Sequence, residues 1–320
     1  MTAPGVIVID GGVLASAKDW LGARAVVSDS PAQRVPSAKG GSAIALEDVS
    51  LRLGAPDREV EILRGASLRV AAGELVCLLG PSGSGKSTIL NLVAGLARPT
   101  SGRVLEGDRP VSGPGPDRAV VFQDAALFPW LRLRDNIEFP LKLQGLRQAA
   151  RAQRSEELLR LVHLWRFQGR YPHELSGGMR QRGAIARALA TDPAVLLMDE
   201  PFAALDAQTR EILQGEVERI WSATHKTILF VTHNVREAVR LADRVILMGT
   251  RPGRILHEEA IDLPRPRAAT DERVGVLASG ISRRIASEVE KIAREEADDA
   301  WMGPGTHGSG DPRRHLGRGI

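Results

Sequence analysis

Gly80-Pro81-Ser82-Gly83-Ser84-Gly85-Lys86-Ser87-Thr88 is the stretch of sequence that decides the fold of this chain. It follows an apolar run at 75–79, typical of a buried strand, and precedes an apolar run at 89–93, typical of a helix. Its glycines let the backbone curl closely around an anion, and the N–H groups of the loop and the helix N-terminus present partial positive charge. A chance match within a Gly/Ser-rich loop is the alternative, and the strand–loop–helix context disfavours it.

Lys86 and Ser87 give this loop its predicted chemistry. The ammonium group of Lys86 is expected to reach the β- and γ-phosphates of a nucleotide, and the Ser87 hydroxyl to ligate Mg²⁺. The sequence therefore predicts a site for a nucleoside triphosphate and its metal ion.

Composition excludes several classes of protein. The 320 residues carry a net charge of +4 and only 4% aromatic residues, so a nucleic-acid interface is poorly supported. We find no apolar run long enough to span a membrane, and the N-terminus lacks the basic start of a secretory signal. Cys77 is the single cysteine and lies in an apolar run, so we predict a buried core residue in a protein of the cytoplasm.

The sequence pattern predicts an α/β protein with a second, antiparallel β layer. Residues 1–41 are rich in Ala, Gly, Ser and Pro and are predicted to be a flexible extension, with a short strand near Val6. From residue 43 onward short alternating segments predict an antiparallel layer. The predicted segments are Ile44–Leu46, Val49–Leu53, Val60–Leu63 and Ala66–Val70.

Beyond this layer the pattern predicts helices and buried strands in alternation. Helical signals dominate between about 124 and 177, most clearly at Gln153–Phe167. Two buried strands, Pro193–Met198 and Thr227–Val231, enclose a predicted helix at Thr209–Ala223, as in a β–α–β crossover. Further predictions are strands at Val245–Met248 and Arg254–Leu256, a helix or helix pair at Glu272–Glu296 with a break near Gly280, and disorder from Gly303.

Two carboxylates, Asp199 and Glu200, follow the first of these buried strands. Ligands of open α/β sheets bind at the carboxyl ends of the strands. Asp199 is thus a candidate Mg²⁺ ligand, and Glu200 a candidate general base for an attacking water. A surface Asp-Glu pair after a core strand is the alternative.

A second potential anion site lies at Leu175–Arg182, where Ser176, Gly177 and Gly178 precede a predicted helix at Gln181–Ala190. A Ser N-cap followed by a turn is the plainer interpretation. Because the chain already has one phosphate loop, the second site is best explained by a γ-phosphate held in another copy of the chain.

Taken in order, these motifs resemble those of the ATP-binding subunits of ABC transporters. The loop at 80–88 resembles the Walker A motif, Leu175–Gln181 the family signature and Val195–Glu200 the Walker B motif. Ala204–Asp206 resembles the D-loop, Gln123 the Q-loop glutamine and His233 the switch histidine. The resemblance covers about Ile44 to Leu263. Within the family, Leu127–Leu131 and Asp135–Ile137 resemble ATPases for the uptake of nitrate, sulfonates or taurine.

The resemblance implies a P-loop NTPase fold of the ABC type, with a RecA-like parallel-sheet core, an antiparallel β layer and an α-helical subdomain. We accordingly predict an ATP-binding cassette at 42–263 with its helical subdomain at about 125–178, a C-terminal helical segment at 264–302 and a disordered tail at 303–320. The implied cofactors are ATP and Mg²⁺. The implied partners are a second cassette, integral membrane permease subunits and a periplasmic or extracellular solute-binding protein, with no nucleic acid. The cassette would lie peripherally on the cytoplasmic face of the cell membrane.

The resemblance also assigns roles to single residues. Two cassettes would pair head to tail, so that Ser176 and Gly178 of one contact the γ-phosphate held by Lys86 of the other. Gln123 would sense the γ-phosphate and Mg²⁺, and His233 would orient water and phosphate near Glu200. The implied set comprises catalytic Glu200, His233 and Lys86; nucleotide contacts at 80–88, Gln123, Ser176, Gly177, Gly178 and Asp206; and metal ligands Ser87, Gln123 and Asp199.

Two departures from the family pattern stand out. An aromatic residue usually stacks on adenine near the position of Leu53, but this chain has none between Trp20 and Phe122, so plainer apolar contact is expected. Met179 stands where glutamine is commoner in the signature, and we expect it to be tolerated.

Three functions remain open at this point. The first is the ATPase subunit of an importer, with Phe128, Pro129 and Trp130 as part of the surface that docks on the permease, or else as core residues of the helical subdomain. The second is a soluble ABC ATPase acting on nucleic acid or the ribosome, which typically carries tandem cassettes, coiled-coil insertions or zinc cysteines. The third is a regulatory cassette that binds nucleotide without hydrolysing it, against which Glu200 and His233 argue.

Overall fold

The structure, a computed structural model, describes residues 8–9, 12–13, 40–55, 58–268 and 270–301 of the chain. Two compact units are present, Met1–Pro36 and Ser37–Ile320. In the first, strand β1 (Val8–Ile9) pairs antiparallel with β2 (Gly12–Val13), close to the predicted strand near Val6. The remainder of the predicted extension up to residue 39, and the tail from 303, lie outside the described residues.

The second unit contains two sheets and seven α-helices among its described residues. In chain order its elements are β3 (Ile44–Leu53), β4 (Val60–Val70), β5 (Leu75–Leu79), α1 (Lys86–Ala94), β6 (Ser101–Glu106), β7 (Arg109–Pro110), β8 (Arg118–Val121), α2 (Leu133–Leu143), α3 (Gln148–Leu161), α4 (Gly177–Ala190), β9 (Val195–Asp199), α5 (Ala207–Thr224), β10 (Thr227–Thr232), α6 (Val235–Leu241), β11 (Arg244–Gly249), β12 (Arg254–Ala260) and α7 (Glu272–Trp301).

The central sheet has the order β12-β11-β5-β10-β9-β8. All its neighbours are parallel except β12, which pairs antiparallel with β11 at one edge. Every residue of β5 and β10 is buried, which is why their sequences read as continuous apolar runs. Strand β5 lies between β11 and β10, and the phosphate loop follows it directly.

The two faces of β5 serve two different cores, as the period-two alternation of a strand requires. Leu75, Cys77 and Leu79 pack into a core that includes the helical region. Val76 and Leu78 pack into a core shared with α1 and the antiparallel layer. Cys77 is fully buried, which confirms its predicted place, and burial raises the pKa of its thiol.

The antiparallel layer has the order β4-β3-β6-β7. The four short segments predicted at its start are in fact two long strands, β3 and β4, which continue through register shifts. The prediction of separate strands was wrong because residues with positive φ, Asp48 (49°) and Gly65 (55°), are accommodated inside the ladder rather than ending it.

Helices α2, α3 and α4, which follow β8 and precede β9 in the chain, pack on one another. The helix predicted at Gln153–Phe167 begins earlier, at Gln148, and ends at Leu161, after which a 3₁₀ turn covers Trp165–Phe167. Asn136 of α2 is fully buried. Its side chain accepts a hydrogen bond from Phe128 N at 2.8 Å and donates to the carbonyls of Phe128, Leu131 and Arg132, which fixes the turn before the helix.

Helix α7 runs without interruption from Glu272 to Trp301, so the predicted break near Gly280 was wrong. A glycine inside a helix costs only about 1 kcal/mol relative to alanine. Burial of Val274, Ala278 and Ile281 against the cassette outweighs this cost. Among the described residues, no helix combines the length and apolarity that a membrane crossing requires.

Candidate functional site

The loop between β5 and α1 forms the predicted anion cradle. Gly83 and Gly85 adopt positive φ values of 80° and 83°, which favour glycine. A Cβ atom on Gly85 would lie 2.5 Å from Leu63 Cδ2, and one on Gly80 would lie 2.5 Å from the Met248 carbonyl oxygen. Close neighbours in the two sheets therefore favour glycine at both positions, and the positive φ of Gly85 favours it there as well.

Lys86 lies at the first position of α1 and is 6% exposed. Its Nζ donates to the carbonyl oxygens of Gly80 at 2.9 Å and Pro81 at 2.8 Å, and to Ser84 Oγ at 3.3 Å. Burial lowers the pKa of this ammonium group, while the nearby carboxylates of Glu200 and Asp199 act in the opposite direction. The cation thus lies in the middle of the loop.

Ser87 and Asp199 are brought together across the sheet. Ser87 Oγ donates to Asp199 Oδ1 at 3.0 Å, joining the start of α1 to the end of β9. Burial raises the pKa of Asp199, and the hydrogen bond from Ser87 opposes that shift. Two of the three predicted metal-binding side chains therefore present adjacent oxygen atoms, which are the donors that Mg²⁺ prefers.

Glu200 and His233 form a second pair next to the first. Glu200 Oε2 lies 3.0 Å from His233 Nδ1, and Glu200 N donates to the Val231 carbonyl at 3.0 Å. Glu200 has a φ of 43°, an uncommon conformation for a residue with a side chain, and such strain clusters at functional sites. The structure thus joins the predicted catalytic residues by a direct hydrogen bond.

The predicted second anion site is a helix N-terminus. Ser176 caps α4, its Oγ accepting from Met179 N at 3.3 Å, and Gly177 begins the helix. The N-cap interpretation of Ser176 is therefore confirmed. A Cβ on Gly178 would lie 2.4 Å from Thr209 Cγ2, so this glycine also permits the close packing of α4 on α5.

Asp206 and Gln123 occupy separate positions. Asp206 caps α5, its Oδ1 accepting from Thr209 N at 2.9 Å, and the side chain and the backbone N–H of Thr209 lower the pKa of its carboxyl. Gln123 lies exposed in the loop after β8. Its predicted role in sensing phosphate and metal stays a prediction.

One link between these parts had no signal in the sequence. Gln181 is 3% exposed on α4, and its Nε2 donates to the Phe122 carbonyl at 3.1 Å. It therefore ties the helix that begins at Ser176 to the residue just before Gln123. Only the tertiary fold brings these positions together, so a motif search misses the contact.

The aromatic patch of Phe128, Pro129 and Trp130 is partly exposed. Trp130 has 68% of its surface exposed, whereas Phe128 is half-buried between Trp130 and Phe139, with ring centroids 5.5 and 5.0 Å away. Phe128 is thus partly a packing residue, and Trp130 presents a free apolar face.

Leu53, at the predicted adenine contact, is 54% exposed and pairs across the hairpin with Val60, which is 60% exposed. An apolar pair therefore stands where an aromatic ring was missing from the sequence. The same strand β4 carries Leu63 against Gly85 of the phosphate loop.

Comparison with known proteins places these features in a family. A family model described as "ABC transporter" matches residues 63–203. The chain is 53% identical over 201 residues to an ATP-binding protein of Brucella abortus, covering 63% of this chain and 77% of that protein. It is 50% identical to the taurine import ATP-binding protein TauB of Burkholderia thailandensis (73% and 90% covered) and 51% identical to the nitrate import ATP-binding protein NrtD of Synechocystis (64% and 77% covered).

Solved structures agree with the fold. The chain is similar to an ATP-binding cassette in a dimeric post-hydrolysis state bound to ADP and Pi. The TM-score is 0.62 with 32% sequence identity, and the match covers 69% of this chain and all of the other.

Proposed function

Because the chain belongs to the ABC transporter family of ATP-binding proteins, we propose that it is the ATPase subunit of an importer for a small anion. It is an ATP-binding and ATP-hydrolysing cassette with the P-loop fold. The narrower proposal rests on relatives named for taurine and nitrate import, at 50% and 51% identity. The cargo class is therefore nitrate, taurine, a sulfonate or a related small anion.

One observation carries the catalytic proposal: the hydrogen-bonded pair Glu200–His233 lies beside the pair Ser87–Asp199 at the carboxyl edge of the central sheet. Lys86 and the loop N–H groups would bind the phosphates of ATP. Glu200 would accept a proton from the attacking water, and His233 would hold the Glu200 carboxylate and the γ-phosphate in line.

The residues at this edge fit a magnesium ion. The oxygen atoms of Ser87 and Asp199 lie 3.0 Å apart, and Gln123, in the loop after β8, would supply a third oxygen. Mg²⁺ in nucleotide sites uses one or two protein oxygens together with substrate phosphates, so a larger carboxylate cluster is not needed. When bound, the ion would neutralise charge on the β- and γ-phosphates.

The complete site requires a second copy of the chain. Ser176, Gly177 and Gly178 at the N-terminus of α4 would cover the γ-phosphate bound at Lys86 of the partner, and Asp206 would lie at the same interface. The dimeric state of the similar solved cassette supports this arrangement. Permease subunits would bind the helical region near Trp130. This contact would hold the cassette at the cytoplasmic face of the membrane. A solute-binding protein would deliver the anion.

Replacing Glu200 by Gln tests the catalytic part. We expect the variant to lose about 10²- to 10⁴-fold in turnover while still binding ATP, because only the proton acceptor is removed. Size-exclusion chromatography with ATP should then show a trapped dimer. A Glu200→Gln variant with wild-type turnover would refute the assignment, and a wild type inactive even when assembled with its permease would favour a regulatory cassette.

The cargo is tested with the complete transporter in membrane vesicles. Uptake of radiolabelled taurine and of nitrate is measured with wild type and with Glu200→Gln. ATP-dependent uptake of one anion, absent in the variant, supports the proposal. Stimulation of ATPase activity by DNA or ribosomes, without uptake, would instead support a soluble role.

A further inference from the structure

A small polar cavity lies directly behind Glu200 and His233. Its volume is about 40 Å³. It is lined by Glu200, Phe202, Ala203, Arg210, Thr232, His233, Asn234 and Glu237. A cavity of this size has room for a water molecule, and its charged and hydroxyl groups supply the two to four polar partners that a buried water needs. The cavity therefore connects the catalytic pair to two charged residues, Arg210 and Glu237, that no motif includes.

Glu237 is a buried carboxylate on the far wall of this cavity. It lies on α6, is 5% exposed, and accepts a hydrogen bond from Gln214 Nε2 at 2.8 Å. Burial raises the pKa of Glu237, while the charges of Arg210 and His233 act to lower it. A buried carboxylate is costly unless it is well partnered, so its retention beside the catalytic pair calls for an explanation.

Arg210 links the same cavity to the segment that carries Asp206. Its Nη2 donates to the Leu205 carbonyl at 2.8 Å and its Nε to the Phe202 carbonyl at 3.3 Å. Arg210, at the start of α5, thus donates hydrogen bonds to both ends of the segment Phe202–Leu205. Arg210 and Glu237 line the same cavity, where the positive charge of Arg210 favours the ionised form of the Glu237 carboxyl.

We propose that Glu237 is a positioning residue for ATP hydrolysis. Facing Arg210 in the cavity, it holds the turn that bears His233 in a fixed position relative to the loop at 202–206. On one side, Thr232, which directly precedes His233, lines the same cavity, and Glu237 N donates to Asn234 Oδ1, directly after His233, at 3.2 Å. On the other, Gln214 connects it to α5, whose N-cap is Asp206. The inference rests on the proposed function, because it assumes that His233 and Asp206 act in the same reaction.

This arrangement has a mechanical consequence for the proposed dimer. His233 belongs to the site on its own chain, whereas Asp206 would face the partner. A single buried carboxylate between them makes the geometry of one site depend on the interface with the other. Misplacement of reacting groups by about 1 Å can cost about 10²-fold in rate, so a neutral but isosteric replacement should be measurable.

The test compares Glu237→Gln with wild type in steady-state ATPase assays on the complete transporter. Glutamine retains an oxygen that accepts from Gln214 but removes the charge that faces Arg210. We expect kcat to fall by about 10- to 100-fold with KM for ATP unchanged within about twofold, because positioning acts in the transition state. A merely structural residue would instead lower the midpoint of thermal unfolding and ATP affinity together.

A double-mutant cycle with Arg210→Gln isolates the coupling. If both residues act through the cavity, the double variant should lose about as much kcat as the more severe single variant, rather than the product of the two losses. Glu258→Gln is the control, since Glu258 is an exposed carboxylate on β12 that pairs with Arg244 and does not line the cavity. We expect wild-type kinetics for this control.

Ala203→Val provides an independent test, because it fills the cavity without touching the bond between Gln214 and Glu237. The same loss of kcat at constant KM would support the inference even if Glu237→Gln folds poorly. Wild-type kcat in both variants, or multiplicative losses in the cycle, would overturn it. Glu200→Gln in the same assay reports on the proposed function separately, since its inactivity would stand whichever way the Glu237 result falls.

Discussion

Replacing Gly178 by Ala gives the most discriminating test of the signature helix. The added methyl carbon would lie 2.4 Å from Thr209 Cγ2, well inside the van der Waals limit, so α4 and α5 must separate slightly. Overpacking of this kind costs about 1–3 kcal/mol, and alanine recovers about 1 kcal/mol of helix propensity relative to glycine. We therefore expect Gly178→Ala to lower the free energy of unfolding by about 0–2 kcal/mol.

A second substitution separates packing from catalysis. Thr209→Ser removes only the colliding Cγ2 and leaves the neighbours of the new methyl group at 3.8 Å or more, which is ordinary contact. The double variant Gly178→Ala/Thr209→Ser should therefore recover stability, and Thr209→Ser alone serves as the control. ATPase activity should not recover, because the methyl group still stands at the helix N-terminus proposed to meet the partner's nucleotide.

Both quantities are measurable on the complete chain. Thermal unfolding resolves the stability change, since 1 kcal/mol shifts the midpoint by about 2–4 °C in a domain of this size. ATP turnover is measured on the same samples. Recovery of activity together with stability would mean that Gly178 serves packing alone, and a single variant more stable than wild type would refute the steric argument.

Three further predictions follow from named contacts. Asn136→Ala should lower the free energy of unfolding by about 2–4 kcal/mol, because it leaves the N–H of Phe128 and the carbonyls of the turn without their partners. Chemical denaturation measures this loss, with Asn136→Asp as the comparison. Trp130→Ala should weaken co-purification with the permease while ATPase activity of the isolated cassette survives, and equal loss of both would count against docking. Burial raises the pKa of Glu106 from 4.5 to about 7, so the stability it contributes is complete below pH 4.5 and is lost as pH rises through 7. Relative to Glu106→Gln, wild type should lose on the order of 1–3 kcal/mol of stability between pH 4.5 and 8. A difference between the two proteins that does not change with pH would contradict the assignment.

The parts of the fold that the sequence predicts well are those with local causes. Strand β5, the phosphate loop and α1 follow from an apolar run, closely spaced glycines and a helical pattern within about 20 residues. The central strands β9 and β10 were predicted for the same reason. Their carboxyl ends carry Asp199, Glu200 and His233, so the composition of the site could be predicted with them.

The errors arose where tertiary contacts overrule a local signal. Gly280 looks like a helix break, but packing of Ile281 and its neighbours carries α7 through it. Gly65 looks like the end of a strand, but β4 continues through a bulge. In both cases a glycine marks a permitted conformation, and the neighbours in space decide whether the element ends.

The contacts that the motifs do not predict are long-range. Gln181 touches the Phe122 carbonyl, 59 positions away, and Gln214 touches Glu237, 23 positions away. Neither pair has a characteristic spacing. Such contacts depend on how helices are placed against the sheet, which a single sequence does not specify.

The contact of Leu63 with Gly85 fixes the distance between the expected base contact and the phosphate loop. Strand β4 carries Leu63 against the phosphate loop, and its first residue, Val60, lies opposite Leu53. The apolar contact expected for the base and the loop that would hold the phosphates are therefore both attached to β4, at positions about three residues or 10 Å apart. Mono-, di- and triphosphates would then share one position of the base and differ in how far the phosphate chain extends along the loop.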